Sequence, residues 1–233
     1  MFDWFPRHIS TYGNDLDAVF WLIFYLTAAG FLASEAIIIY AIIRHRRRQG
    51  HTAAGFSGEK MSEFAWILVP TGIVLLLDLG IDFAGSAAWG KVKGEMPPCE
   101  VQVQVTGKQF NWNFTYPGPD GRFGTDDDLT LENELHVPVN KKVALTLGAA
   151  DVIHSFFVPV LRLKQDCLPG RQIPAWFEAV ATGEYEIACA ELCGYAHYTM
   201  RGFLFVHDEA GYANWLQTHW PAPGADSTQA AAL

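Results

Sequence analysis

Basic side chains are scarce in this chain. Its 233 residues carry 16 Lys and Arg against 25 Asp and Glu, a formal net charge of -9 at pH 7. That balance argues against nucleic acid as a partner. It leaves an acidic domain that either attracts a basic partner at a salt-sensitive rate or is simply kept soluble by its charge. Cysteine is equally sparse, at 4 residues, and no Cys-x-x-Cys-His run occurs, which excludes a covalently attached haem. No internal repeat is present, which argues against solenoids and propellers. Mean hydropathy is only +0.10 although half of the residues are hydrophobic. A polytopic membrane protein is therefore excluded, and a short membrane portion joined to a soluble domain is expected.

Long apolar runs are confined to the N-terminal third. Residues 18–43 are almost unbroken by charge, with Glu35 the exception, and exceed the roughly 20 residues that cross a bilayer. The run is too long for a signal-peptide core, and no cleavage-like region follows it. A second span covers 64–84, interrupted by Pro70 and Gly72. Arg44-His-Arg-Arg-Arg48 lies between the two, so the connector 44–60 is expected in the cytoplasm, with both termini on the opposite, periplasmic face of a bacterial inner membrane. The expected organisation is a transmembrane hairpin over 1–90, a β domain over 91–220, and a disordered tail over 221–233. Glu63 opens the second span, where a carboxylate favours a helix N-terminus. Asp78 and Asp82 share a helix face, and with Glu35 they suit polar packing against another membrane subunit better than ion handling.

Beyond residue 91 no long helical segment intervenes. The alternation in 100–106, 142–147, 184–189 and 202–207 reads as strands separated by Gly/Pro turns, which predicts an all-β Greek-key sandwich or barrel. Lys108–Tyr116 reads as a further, aromatic-rich strand, and 210–220 as a short helix. Residues 119–128 read as a hairpin insertion: an exposed Asp/Gly turn is favoured over a calcium loop, because the spacing is not that of an EF-hand. Cys99 and Cys167 are either buried free thiols or, in an oxidising compartment, a disulfide.

The chemistry is concentrated in Cys189-x-Glu191-x-Cys193-Gly-x2-His197-x2-Met200, with His154 upstream. Thiolate, imidazole and thioether form a soft donor set that suits copper better than magnesium or calcium. The Cys-x3-Cys spacing differs from the Cys-x2-Cys pairs usual in structural zinc sites. Two coppers sharing both sulfurs would use the whole set, and mononuclear copper or zinc is the alternative.

These residues, together with His154-Ser-Phe-x-Val-Pro159, Leu163-Lys-Gln-Asp166 and Pro169-Gly-Arg171, resemble subunit II of cytochrome c oxidase and its dinuclear copper A centre. The resemblance covers about residues 15–215. It implies a cupredoxin-like fold in which Cys189 and Cys193 bridge two coppers. His154 and His197 would bind one copper each, Met200 would be axial, and Glu191 would ligate through its backbone carbonyl. The Glu191 carboxylate would reach a magnesium shared with subunit I. Haem would reside only in partner subunits. The implied role is to accept electrons from a c-type cytochrome and pass them to haem in subunit I for oxygen reduction coupled to proton translocation. This chain alone would reduce no oxygen. Subunit III and membrane lipid are further expected partners. Glu63 would lie near the mouth of a proton path.

One departure stands out. Where the family usually has Gln-Trp-x-Trp, this chain has Gln109-Phe110-Asn-Trp112, so Phe110 replaces the Trp that receives electrons. That puts the usual uptake point in doubt, and Phe110, Trp112, another aromatic or a membrane-associated donor are the candidates. A copper-bearing nitric oxide reductase subunit is the alternative function. A metal-free structural subunit and a copper-delivery protein fit the closed donor set poorly.

Overall fold

The computed structural model describes residues 5–50, 52, 58, 61–94 and 96–220. The expected tail 221–233 and most of 51–60 lie outside these residues.

Two long helices come first, α1 (Gly13–Arg44) and α2 (Met61–Trp89). Both are long and apolar enough to cross a membrane, and the most apolar window of each buries no residue within the molecule. At 32 residues, α1 spans roughly 48 Å, more than a bilayer core of about 30 Å. Both helices therefore continue past their apolar windows into polar flanks. Side-chain hydroxyls that would be costly in lipid bond back to the helix: Thr27 Oγ1 to the Ile23 carbonyl at 2.8 Å and Ser34 Oγ to Gly30 at 2.9 Å. The interruption expected at Pro70 and Gly72 does not occur, and α2 runs through both. Pro70 has no N–H to give the ladder. Thr71 Oγ1 donates to the Ile67 carbonyl at 2.8 Å in the same turn.

The second unit is a two-sheet sandwich. One sheet contains β1 (Val101–Lys108), β2 (Asn111–Tyr116), β3 (Leu129–Glu132), β5 (Lys142–Ala149) and β8 (Ile173–Glu178), in the order β3-β2-β1-β5-β8. The other contains β4 (Glu134–Pro138), β6 (His154–Val158), β7 (Leu163–Cys167), β9 (Gly183–Cys189) and β10 (Arg201–His207), in the order β4-β10-β9-β6-β7. The pairs β1·β5 and β10·β4 are parallel, as expected where strands cross between sheets. Val103, Val105, Leu145, Leu147, Ile187 and Leu204 alternate inward and are at most 1% exposed. The cupredoxin-like sandwich expected from the sequence is thus present, followed by α3 (Glu209–His219), whose N-terminus Asp208 caps by accepting from Gly211 N at 2.7 Å.

Two further expectations change. Lys108–Tyr116 is not one strand: the chain turns at Gln109 and Phe110, and β2 folds back on β1 with Lys108 opposite Asn111. The hairpin also does not begin at residue 1. The compact units divide between Asn14 and Asp15 and again between Lys91 and Val92. Residues 9–12 are held in the sandwich by Ile9 N donating to the Val160 carbonyl and Val180 N donating to the Ile9 carbonyl, each at 2.7 Å. Tyr12 is fully buried, its hydroxyl donating to the Trp176 carbonyl at 3.2 Å. Burying so large a side chain and satisfying its hydroxyl favours this docking over an extension of the apolar helix.

Candidate metal centre

The end of β9 delivers Cys189, a tight loop returns Cys193, a single 3-10 turn over 197–199 presents His197, and Met200 leads into β10. β6 lies beside β9, with Phe156 opposite Cys189, and this register brings His154 to the loop. The loop is closed by Cys189 N donating to the Met200 carbonyl at 3.2 Å and Ala190 N to the Ser155 carbonyl at 2.9 Å.

The donor atoms converge. The two Sγ atoms are 3.9 Å apart. His154 Nδ1 lies 3.9 Å from Cys189 Sγ, and His197 Nδ1 lies 3.6 Å from Cys193 Sγ. Met200 Sδ is 3.7 Å from Cys193 Sγ, and the Glu191 carbonyl oxygen is 3.2 Å from Cys189 Sγ. Each sulfur thus has its own imidazole and its own weak donor on the flank. His154, Cys189, Cys193 and Met200 are buried, while His197 is half-buried. Burial, and then the negative charge of Cys189, push the Cys193 thiol up to about 11. A metal between the sulfurs would reverse both effects. Soft donors facing one another in a largely buried site fit copper.

Two partners of this set escaped sequence reasoning. Asp151 Oδ1 lies 2.8 Å from His154 Nε2, which leaves Nδ1 free to face the sulfurs. Burial disfavours the Asp151 carboxylate. Hydrogen bonds from Gln109 N, His154 and Val152 N outweigh it and hold its pKa below the usual range. Gln109 also reaches the loop with its side chain, donating from Nε2 to the Cys193 carbonyl at 2.5 Å. A carboxylate three residues before a candidate histidine ligand was the available signal for Asp151. The Gln109 contacts are made only when the sheets close.

The remaining expected residues separate. Trp112 is fully buried with its ring 6.0 Å from that of His154, and its indole N–H has no protein partner among the described residues. It therefore cannot meet a donor at the surface. Phe110 is half-buried and stacks edge-on with Tyr195, 5.1 Å between centroids. The Glu191 side chain is exposed. Glu63, Glu35, Asp78 and Asp82 belong to the helical unit, not to this site. All four thiols are free, and Cys167 is buried on β7 opposite His154. In 119–128 the carboxylates hold their own backbone: Asp120 Oδ1 accepts from Arg122 N at 2.8 Å and Asp128 Oδ2 from Gly124 N at 2.7 Å.

Comparison with known proteins gives a consistent pattern. Residues 101–204 match the family described as cytochrome C oxidase subunit II, periplasmic domain. The alternative cytochrome c oxidase subunit 2 of Bradyrhizobium diazoefficiens is 32% identical over 92% of this chain and 83% of its own length. The cytochrome c oxidase subunit 2 of a Synechocystis strain is 29% identical over 94% of this chain and 76% of its own length. Among solved structures, the periplasmic domain of subunit II of cytochrome oxidase (CoxB) of Bradyrhizobium japonicum is 31% identical, covering 54% of this chain and 96% of that one, at a TM-score of 0.48.

Proposed function

The chain belongs to the cytochrome c oxidase subunit II family, and from that premise we propose that it is the electron-accepting subunit of a respiratory haem–copper oxidase, holding a dinuclear copper centre. The observation that carries this reading is the pairing of donors: two sulfurs 3.9 Å apart, each with its own imidazole and its own weak donor. Held by Cys189, Cys193, His154, His197, Met200 and the Glu191 carbonyl, a copper pair would supply a one-electron carrier. The protein's part is to fix the donors so that little moves on reduction. Asp151 holds His154 in one tautomer, the backbone bonds at Cys189 and Ala190 lock the loop, and burial of Met200 keeps water from that flank.

Electrons would come from a c-type cytochrome and leave to haem in subunit I, where oxygen is reduced and protons are translocated. The relatives carry oxidase names, which favours oxygen over nitric oxide as the acceptor. The exposed Glu191 carboxylate is free to meet a magnesium at the subunit I interface, because only its carbonyl faces Cys189. Glu63, in the first turn of α2, is the candidate for the proton-path mouth. Subunit III completes the expected assembly. Two coppers per purified chain are expected, with a paramagnetic signal from one electron shared by both nuclei. Cys193→Ser should abolish that signal, since a hydroxyl is a poor bridge between soft metals. One copper per wild-type chain with a single-nucleus spectrum would overturn the reading.

A further inference from the structure

Gly107 lies inside β1, where glycine is a poor strand former and often marks the close approach of another group. The backbone conformation does not require it. Gly107 is not among the glycines with positive φ, and it pairs regularly with Trp112 on β2 and Ala149 on β5. What it does is leave room for a ring from the facing sheet. A Cβ at this position would sit 2.9 Å from His154 Cδ2, 3.0 Å from Cγ and 3.2 Å from Cβ. Carbon atoms pack at about 3.5–4.0 Å, so a methyl group here and the ring in its present place cannot coexist. The ring has little freedom to swing aside. It is fully buried, and its Nε2 is held by Asp151. Trp112 meets it edge-on at 6.0 Å and is itself braced by Phe156 at 5.4 Å. Gly107 also pins the segment that carries the histidine, its carbonyl accepting from Ala150 N at 2.9 Å.

We propose that Gly107 is a positioning residue of the metal centre. Its missing side chain sets the depth at which the His154 ring sits, and with it the distance of Nδ1 from Cys189 Sγ. The inference rests on the copper reading and adds to it a residue that is not itself a ligand. Asp151 and Gly107 restrain the same ring in different ways. The carboxylate fixes which nitrogen is free and where it points, while the bare backbone fixes how far the ring lies from β1. The two flanks of the site are nearly matched, with imidazole nitrogens 3.9 and 3.6 Å from their sulfurs. An electron is shared evenly by two metals only while their surroundings match. A methyl at 107 would push one imidazole away from β1 and leave His197 where it is, so the match would be lost from one side.

The test uses the full-length chain in its copper-loaded oxidase complex. Gly107→Ala should lower copper affinity about tenfold in competition with a chelator. The paramagnetic signal should show the electron shared less evenly, with one imidazole nitrogen coupling altered and the other as in wild type. Gly148→Ala is the control. It adds a methyl to β5 beside Thr106, meets only the Arg171 carbonyl at 3.1 Å, and should leave affinity and couplings unchanged. Wild-type affinity and couplings in Gly107→Ala would overturn the proposal, as would an equal loss in Gly148→Ala. A second measurement needs no copper. In denaturant unfolding of the metal-free chain, Gly107→Ala should lower the midpoint clearly. The same change in a His154→Ala background should lower it far less, because the ring it would strike is gone. If Gly107→Ala alone does not accumulate, accumulation of the double variant carries the same result. Equal losses in both backgrounds would show that the strand itself needs glycine, and so would a double variant that fails where His154→Ala folds. Either outcome overturns the proposal. Wild-type complex lacking the paired-copper signal would instead sink the electron-accepting reading, and the metal-free unfolding would still decide whether Gly107 seats His154.

Discussion

At the residue scale, His154 is the candidate ligand whose orientation is most fully determined. Its ring is fully enclosed, Nε2 meets Asp151 Oδ1 at 2.8 Å, and only Nδ1 faces the sulfurs. A carboxylate in that place fixes the tautomer and raises the basicity of the ligating nitrogen. Asp151→Ala should therefore lower copper affinity by about tenfold or more, while Asp151→Asn, whose amide oxygen still accepts from Nε2, should lose much less. Competition titration against a copper chelator separates the two variants, and equal losses would show that the carboxylate acts through charge alone. The candidate donor set was legible in the sequence because four of its five side chains fall within twelve residues, so local spacing holds the pattern. Asp151 and Gln109 were not legible as partners. Gln109 reaches Asp151 across 42 residues and Cys193 across 84, contacts that only the folded sandwich creates.

At the scale of elements, α3 is held to the sandwich by rings rather than by an apolar stripe. His136 on β4 lies between the faces of Phe205 and Trp215, with interplanar angles of 12° and 14°. Its Nδ1 is 2.9 Å from His207 Nε2, and its other nitrogen is 3.4 Å from Glu134. Truncating Trp215 to Ala should cost about 3 kcal/mol, since it also stacks on Tyr212. The His pair makes this docking pH-dependent. Burial holds both imidazoles below their ordinary pKa; Glu134 opposes it at His136 and Asp208 at His207, while His207 and His219 lower His136 further. The unfolded chain therefore binds more protons than the folded one just below about pH 6.5. The stabilisation is complete above that value and is lost as pH falls through it towards the folded-state pKa values. Denaturant unfolding of the detergent-solubilised chain at pH 7.5 and 5.5 should show the loss, and His207→Asn should flatten it. Period-two strands such as β1, β5 and β10 could be read directly because one face is buried. β6 could not: four of its five residues are buried, so it carries no alternation to read.

At the scale of the whole molecule, the covalent path constrains how the chain meets a membrane. The segment before α1 is part of the sandwich: Ile9 bonds Val160 and Val180, and Tyr12 is enclosed beside Trp176. The segment after α2 is part of it too, with Trp176 Nε1 donating to the Val92 carbonyl at 3.1 Å. Both ends of the helical unit therefore return to one folded body, and one folded body lies on one side of a bilayer. Two apolar helices between those ends, if they span a bilayer, would cross in opposite directions, and the connector would then lie on the far side. The four arginines at 44, 46, 47 and 48 lead to the same expectation by an independent route, since basic connectors are as a rule retained in the cytoplasm. The sequence alone supplied only the second argument, because nothing in residues 9–12 announces that they dock on strands more than 140 positions away. The prediction follows for a chain with Cys99 replaced by Ser to remove a part-exposed thiol. A cysteine placed at Gln49 should react with a membrane-impermeant maleimide only after the inner membrane is opened, whereas one placed at exposed Asp126 should react in intact spheroplasts. Reaction of both sites before opening would mean that the helices do not cross as a pair, and the docking of residues 9–12 would then have to give way in the membrane-bound protein.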